Sequence, residues 1–113
     1  MYYIHAVLLD GCSYSISAQN LLNTYNIRNT TTIINYNNKN KFKSTNINTF
    51  PQIYLKKQNN KGSLLLGGYD NLDEIFKTFY KKKINDTNIK LIQNKYNISR
   101  KTILRLIELL NNL

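Results

Sequence analysis

Cysteine, histidine and proline each occur once in the 113 residues, tryptophan is absent, and six carboxylate side chains stand against sixteen lysines and arginines. A lone Cys12 excludes an internal disulfide framework and any multi-cysteine zinc site, which suits a reducing compartment or a reactive thiol. A lone His5 with no carboxylate cluster near it in sequence supplies no ligand set for a metal held by the protein alone, so no metal site is expected. No apolar run approaches the roughly 20 residues that cross a bilayer. The opening MYYIHAVLLDG carries no basic leader and reads as a buried strand, not a signal. The expectation is a soluble, cytoplasmic protein without membrane contact. At this length there is room for one compact domain with its own core and a short appendage.

Charge is present in one sign and in one half. Residues 1 to 38 hold only Arg28 and Asp10, so the whole formal excess of +10 falls in residues 39 to 113. Such a half attracts polyanions or acidic partners. Nineteen asparagines accompany the lysines, and a compositionally biased chain with a solvated lysine surface explains the same numbers.

Tyr2 to Leu9 is apolar and aromatic on both alternations, the pattern of a strand covered on each side. Asp10-Gly11 signals a turn. From Ser13 to Tyr25, Ile16, Leu21, Leu22 and Tyr25 fall near helical spacing, with Ala18 small enough for close packing. Thr30 to Tyr36 is rich in β-branched residues and predicts a second strand. Asn37 to Asn48 is polar and holds at most one short helix. Phe50 to Leu55 predicts a third strand, with Pro51 at its start where no ladder donor is needed. Lys56 to Gly62 makes a hairpin loop and Ser63 to Leu66 the returning strand. After Gly67-Gly68, Asp70 or Asn71 can cap a helix whose stripe is Leu72, Ile75, Phe76, Phe79 and Tyr80. A helix between the first two strands implies a parallel pair, and the short loop between the last two an antiparallel hairpin. The fold class is α/β, with a four-stranded mixed sheet flanked by helices over residues 1–83 and a C-terminal helical extension over residues 84–113.

Cys12 stands directly ahead of the first helix. Unpaired backbone N–H groups and the positive end of the helix dipole favour a thiolate there and lower the thiol pKa. Position alone leaves two readings, a nucleophile or an inert buried thiol.

Cys12-Ser13-Tyr14-Ser15 resembles the active-site motif of the glutaredoxin family, in which a cysteine, two residues and a second cysteine or serine open the first helix. Ala18 and Leu21-Leu22 stand where that family has an alanine and a leucine pair. Thr49-Phe50-Pro51-Gln52-Ile53 resembles its cis-proline segment, and Gly67-Gly68-Tyr69-Asp70-Asn71-Leu72 its glycine-pair motif before the last helix. The resemblance covers residues 2 to about 82. It implies a thioredoxin-like fold and a glutathione-dependent thiol oxidoreductase acting on glutathionylated proteins, with glutathione as co-substrate and Cys12 as the catalytic nucleophile. Thr49, Phe50 and Pro51 would hold the cysteinyl part of glutathione, Gly68, Tyr69 and Asp70 its γ-glutamyl end, and Tyr14 would pack beside it. Read without the resemblance, Pro51 is an ordinary proline at a strand start, Gly67-Gly68 a turn, and Tyr14 a packing residue.

Two departures carry chemistry. Ser15 replaces the second cysteine, and a hydroxyl cannot attack a disulfide as a thiolate does, which leaves a monothiol mechanism. Leu9 stands where the family usually has a lysine three residues before the cysteine; Lys39, Lys41 or Lys43 are the other candidates to meet the glycyl carboxylate. Relatives that assemble iron–sulfur clusters carry Cys-Gly-Phe-Ser behind a lysine-containing stretch, and neither feature occurs here.

Residues 89 to 110, IKLIQNKYNISRKTILRLIELL, resemble a helix-turn-helix, with a turn at Tyr96-Asn97-Ile98 and Ser99 capping the second helix. Arg100, Lys101, Thr102 and Arg105 would then share an exposed face suited to nucleic acid. The other reading is a helical lid on the sheet or a protein-contact surface. Either way a pair this short folds only against the rest of the chain or a partner. The alternative function is accordingly a catalytically weak redox-fold scaffold that binds nucleic acid or protein through residues 84–113.

Overall fold

Eight apolar and aromatic residues open the chain as β1 (Tyr2–Leu9), which takes a central place in the sheet. The computed structural model describes residues 1–111. The chain continues through α1 (Ser13–Thr24), β2 (Asn29–Ile34), a short 3-10 helix (Tyr36–Phe42), β3 (Gln52–Lys57), β4 (Ser63–Gly67), α2 (Tyr69–Phe79), α3 (Asp86–Tyr96) and α4 (Arg100–Leu110). The architecture is α/β with a four-stranded mixed sheet of order β2-β1-β3-β4. α1 carries the chain back so that β2 runs parallel to β1, from Ile4↔Asn29 to Leu9↔Ile34. β3 lies antiparallel on the other side of β1, from Tyr2↔Lys57 to Val7↔Gln52. β4 returns beside β3, with a bulge between Ile53 and Tyr54 that brings Gly67 opposite Ile53.

Alternation along β1 divides the molecule. Ile4, Ala6 and Leu8 join Ile53, Leu55 and Leu66 in a core completed by Ala18 and Leu22 of α1 and by Leu72, Ile75, Phe76 and Phe79 of α2. On the opposite alternation Val7 is buried outside that core, while Tyr3, His5 and Leu9 are half-buried. Coverage of both faces, expected from the apolar run, is therefore complete on one side only. The segment between β2 and β3 forms a seven-residue 3-10 helix that buries none of its residues, too little to cover a sheet face.

In α1 the inward line is Ser15, Ala18 and Leu22, spaced as one helical stripe. Ile16, expected on that stripe, is 51% exposed, because it lies one position round the helix from Ser15. β2 ends at Ile34, and Tyr36 already belongs to the 3-10 helix. β3 begins at Gln52, two residues after the expected start, and continues to Lys57 because its pairing with β1 runs to Tyr2. The stripe of α2 is buried as expected, but its N-cap is Gly68 rather than Asp70 or Asn71. Asn71 lies inside the helix and turns its amide back to donate to the Leu66 carbonyl at 2.8 Å.

The extension follows the sequence signals closely. Asn97 adopts left-handed geometry (φ 54°, ψ 45°) between α3 and α4. The Ser99 hydroxyl accepts the Thr102 N–H at 3.2 Å. Ile89, Ile92, Ile98, Ile103, Leu106, Ile107 and Leu110 enter the same core as the sheet and the first two helices. Polar ties fix the arrangement: the Lys95 ammonium lies 2.8 Å from Glu74 of α2, and the Tyr96 hydroxyl donates to the same carboxylate. The Asn111 side chain accepts the Lys81 N–H and donates to the Ile107 carbonyl.

The expected basic face on α4 does not form. Thr102 is buried against Ser99, Arg100 is paired with Asp86 at 2.6 Å, and Arg105 is half-buried beside the Tyr2 ring. The apolar stripe that docks α4 rotates these positions away from a common solvent face. Among the described residues no helix is long and apolar enough to cross a membrane.

Because Ile103 is wholly buried in the shared core, Ile103→Ala should cost about 2–5 kcal/mol. Denaturant unfolding followed by both far-ultraviolet circular dichroism and tyrosine fluorescence should show one coincident transition, shifted as a whole. Separate melting of residues 84–111 with the remainder unshifted would contradict this packing.

Candidate functional site

β1 ends at Leu9, Asp10 bonds across to the end of β2 through its N–H to the Ile34 carbonyl at 2.8 Å, and Gly11 turns with φ 77°. The left-handed φ at Gly11 is one that glycine adopts without strain, and it delivers Cys12 to the N-cap of α1. There the residue has extended geometry and the helix has no side-chain cap. The Cys12 carbonyl accepts the first helical bond from Ile16 at 3.0 Å. Its thiol is half-buried.

Ser15, one turn on, is 2% exposed and accepts the Leu9 N–H at 3.0 Å. Since that bond uses a lone pair, the hydroxyl proton stays free for the sulfur. Desolvation pushes the Cys12 thiol up, but the donors that face the sulfur from the first turn, the N–H and hydroxyl of Ser15 and the N–H of Tyr14, favour the thiolate and together outweigh it. The net result is a thiol held below its ordinary value. The local physics is that of a helix N-terminus offering donors to a thiolate.

Two other segments arrive at the same place. The Phe50–Pro51 peptide bond is cis, and the Phe50 carbonyl oxygen lies 4.0 Å from Cys12 Sγ. Pro51 is buried, Phe50 half-buried and Thr49 exposed. Gln52, also buried, donates through Nε2 to the Phe42 carbonyl at 2.7 Å, which brings the end of the 3-10 helix to the Pro51 end of β3. From the other side comes the start of α2. A Cβ on Gly68 would stand 3.7 Å from the Pro51 carbonyl, an ordinary contact that places the glycine beside the proline. Gly67 has φ 123°, a conformation that favours glycine, and a Cβ there would displace the Asn71 amide from the Leu66 carbonyl. The Tyr69 ring lies 6.3 Å from that of Tyr14, which is 60% exposed.

Both helices that open at this site, α1 at Cys12 and α2 at Gly68, begin without a side-chain cap. Those of the extension are capped by Asn85 and Ser99. The uncapped ends leave backbone N–H donors free for anionic groups. Asp70, exposed in the first turn of α2, supplies the negative counterpart for a cationic group. Comparison with protein-family models and with curated proteins finds no match to the chain.

All the residues singled out from sequence, Cys12, Tyr14, Thr49, Phe50, Pro51, Gly68, Tyr69 and Asp70, lie on the three segments that meet here. Of the lysine candidates, Lys39 is committed to the Tyr36 ring, 3.7 Å from its centroid. Lys43, next to Phe42, lies on the segment that Gln52 holds. His5 is elsewhere, with ring nitrogens 2.7 and 3.3 Å from the Thr30 and Thr32 hydroxyls. Burial, then the charge of Lys56, pushes its pKa down. Among the described residues no three His, Cys, Asp or Glu side chains come together as a metal site. Sequence reasoning missed the Ser15 tie to Leu9, the Gln52 tie to Phe42 and the Asn71 tie to Leu66. Each is a side chain bonding the backbone of another element, which leaves no mark on periodicity.

Two outcomes follow. The rate of Cys12 alkylation by iodoacetamide should rise with pH and level off at a midpoint below that of a free thiol, about 8.5; a midpoint at or above that value would contradict the donor set. Ser15→Ala should raise that midpoint. By leaving the Leu9 N–H without a partner it should also lower stability by about 1–3 kcal/mol, read from denaturant melts; an unchanged midpoint would remove Ser15 from the thiol's environment.

Proposed function

We propose that the chain is a glutathione-dependent thiol oxidoreductase that works through Cys12 alone. The observation that carries the reading is convergence. Three segments separated by about forty and then about twenty residues meet around one sulfur, with the Phe50 carbonyl 4.0 Å from it and Tyr14 near Tyr69. These are the three motifs on which the sequence resembles glutaredoxins. The sheet order and the parallel and antiparallel pairings are compatible with the thioredoxin-like fold of that family.

The chemistry is disulfide exchange in two displacements. The Cys12 thiolate attacks the glutathionyl sulfur of a glutathionylated protein, forming a Cys12–glutathione disulfide and expelling the protein thiolate. A second glutathione, as thiolate, attacks the glutathionyl sulfur of that disulfide, releasing oxidised glutathione and restoring the Cys12 thiolate. One free glutathione is thus consumed per turnover: its sulfur passes from thiolate to disulfide as the protein's sulfur passes from disulfide to thiolate, and the proton it lost is taken up by the released protein thiolate. Ser15 forms no disulfide; its role is to donate to the sulfur while held by Leu9.

In this reading the exposed backbone at Thr49 and Phe50 pairs with the cysteinyl residue of glutathione as an added extended strand. The N–H groups at Gly68, Tyr69 and Asp70 take the γ-glutamyl carboxylate, and the Asp70 carboxylate takes its ammonium. Tyr14 covers the tripeptide. With Leu9 in the position of the family's lysine, Lys41 and Lys43, which flank Phe42 on the segment held by Gln52, are the remaining counter-charges for the glycyl carboxylate. Such an enzyme belongs where reduced glutathione is abundant, as in cytoplasm. In the alternative scaffold reading, nucleic-acid contact would not use a single face of α4, since Arg100 is paired with Asp86 and Thr102 is buried.

Incubation with oxidised glutathione should add one glutathione to the mass of the protein and none to Cys12→Ser. The same substitution should abolish deglutathionylation of a mixed-disulfide substrate, and Ser15→Ala should retain the reaction with its pH profile displaced upward. No adduct on the native chain, together with no glutathione-dependent reduction, would overturn the proposal.

A further inference from the structure

A second concavity lies at the far end of the sheet from the thiol. Tyr2 begins β1 and Leu9 ends it, so the two sites are about 23 Å apart by the rise of a strand. The groove has a volume of about 300 Å³ and opens between the β3–β4 turn and α4, with Tyr2, Lys56, Lys57, Asn60, Ser63 and Arg105 in its lining. Among the described residues no carboxylate lines it.

Two cations therefore face one small concavity, Lys57, paired across to Tyr2, and Arg105 of α4; Lys56 alternates to the other face of the sheet, where its charge acts on His5. The Lys57 ammonium lies 5.8 Å and the Arg105 guanidinium carbon 5.7 Å from the centroid of the Tyr2 ring. Among the described residues, neither Lys57 nor Arg105 forms an ion pair. The pairs that do form use Asp73, Glu74 and Asp86, and they neutralise Lys77, Lys95 and Arg100 instead. Glu108, one turn along α4 from Arg105, makes no ion pair with it. Like charges so gathered repel one another, and the arrangement is relieved by an anion of more than one charge. The donors are varied in the way phosphate recognition uses: a planar guanidinium fork, an ammonium group and a neutral hydrogen-bond donor. Asn60 accepts the Gly62 N–H through Oδ1 at 2.8 Å, which leaves its NH₂ group to donate.

We propose that this groove is a binding site for a phosphate-bearing ligand, a di- or triphosphate group in particular, distinct from the thiol site. The site is a product of the extension, because Arg105 reaches it only where α4 docks beside β1. It stands independently of the redox reading.

The test is titration of the full chain with inorganic triphosphate by calorimetry at low ionic strength. Saturable one-to-one binding is expected, weakened at least fivefold by Arg105→Gln and by Lys57→Gln. Lys90→Gln and Lys101→Gln, exposed cations outside the groove, should stay within twofold of the native chain. Lys57 is exposed on β3, so its variant decides the matter if Arg105→Gln disturbs folding. Absence of saturation, or equal weakening by all four substitutions, would overturn the site. A second arm adds a single-stranded oligonucleotide as competitor. Displacement of triphosphate that is lost in Lys57→Gln assigns the phosphates to a nucleic-acid backbone, and failure to displace it assigns them to a free phosphorylated compound; both results uphold the groove.

Discussion

The hydrogen bond from the Leu9 N–H to the Ser15 hydroxyl joins the last residue of β1 to the first turn of α1, and the arrangement at that end of the sheet depends on it. It crosses the Asp10-Gly11 turn, fixes the direction in which α1 leaves the sheet, and holds Cys12 at the open end of the helix rather than beneath it. Ser15 is buried because Ala18 and Leu22 pull the same helical stripe into the core. The position of the sulfur is thus set by packing, while its ionisation is set by the donors that packing brings. A cysteine in place of Ser15 would alter the second without needing to alter the first.

From that fixed point the site is assembled by elements distant in sequence. β3 runs beside β1 and presents Phe50 and Pro51 to the sulfur; β4 runs beside β3, and its bulge and Gly67 turn the chain sharply into α2. The two helices that begin here leave their first N–H groups uncapped, in contrast to the two of the extension. Residues 84–111 contribute at the other end. They close the core against α2 and β1 and bring Arg105 to a groove beside Lys57, so the chain carries its thiol and this groove at opposite ends of one strand.

Much of this was legible in the residues. β1, α1, the β3–β4 hairpin and α2 follow from period and turn residues, and Asn97 and Ser99 mark the break between α3 and α4 through chemistry that is local. Where an expectation failed, a tertiary contact had decided the outcome. The run from Tyr2 to Leu9 is apolar on both alternations, yet only one face is sealed, because the polar stretch before β3 makes a short 3-10 helix that buries nothing. Ile16 yields its place in the core to Ser15, a polar residue that enters because it has a backbone partner. Gly68 caps α2 while Asn71 serves Leu66. The cations of α4 were placed on one solvent face by spacing alone, but docking directs Arg105 to Tyr2 and Asp86 engages Arg100.

The central claim is that Phe50 and the start of α2 form a peptide-binding surface around the Cys12 sulfur. Amide chemical-shift mapping of the Cys12–glutathione mixed disulfide against the reduced protein tests it most directly. The account predicts large changes at Thr49, Phe50 and Gly67 to Asn71 as well as at Cys12 to Ile16, all reversed on reduction. Changes confined to Cys12 and its immediate neighbours in α1, with the other two segments silent, would contradict it.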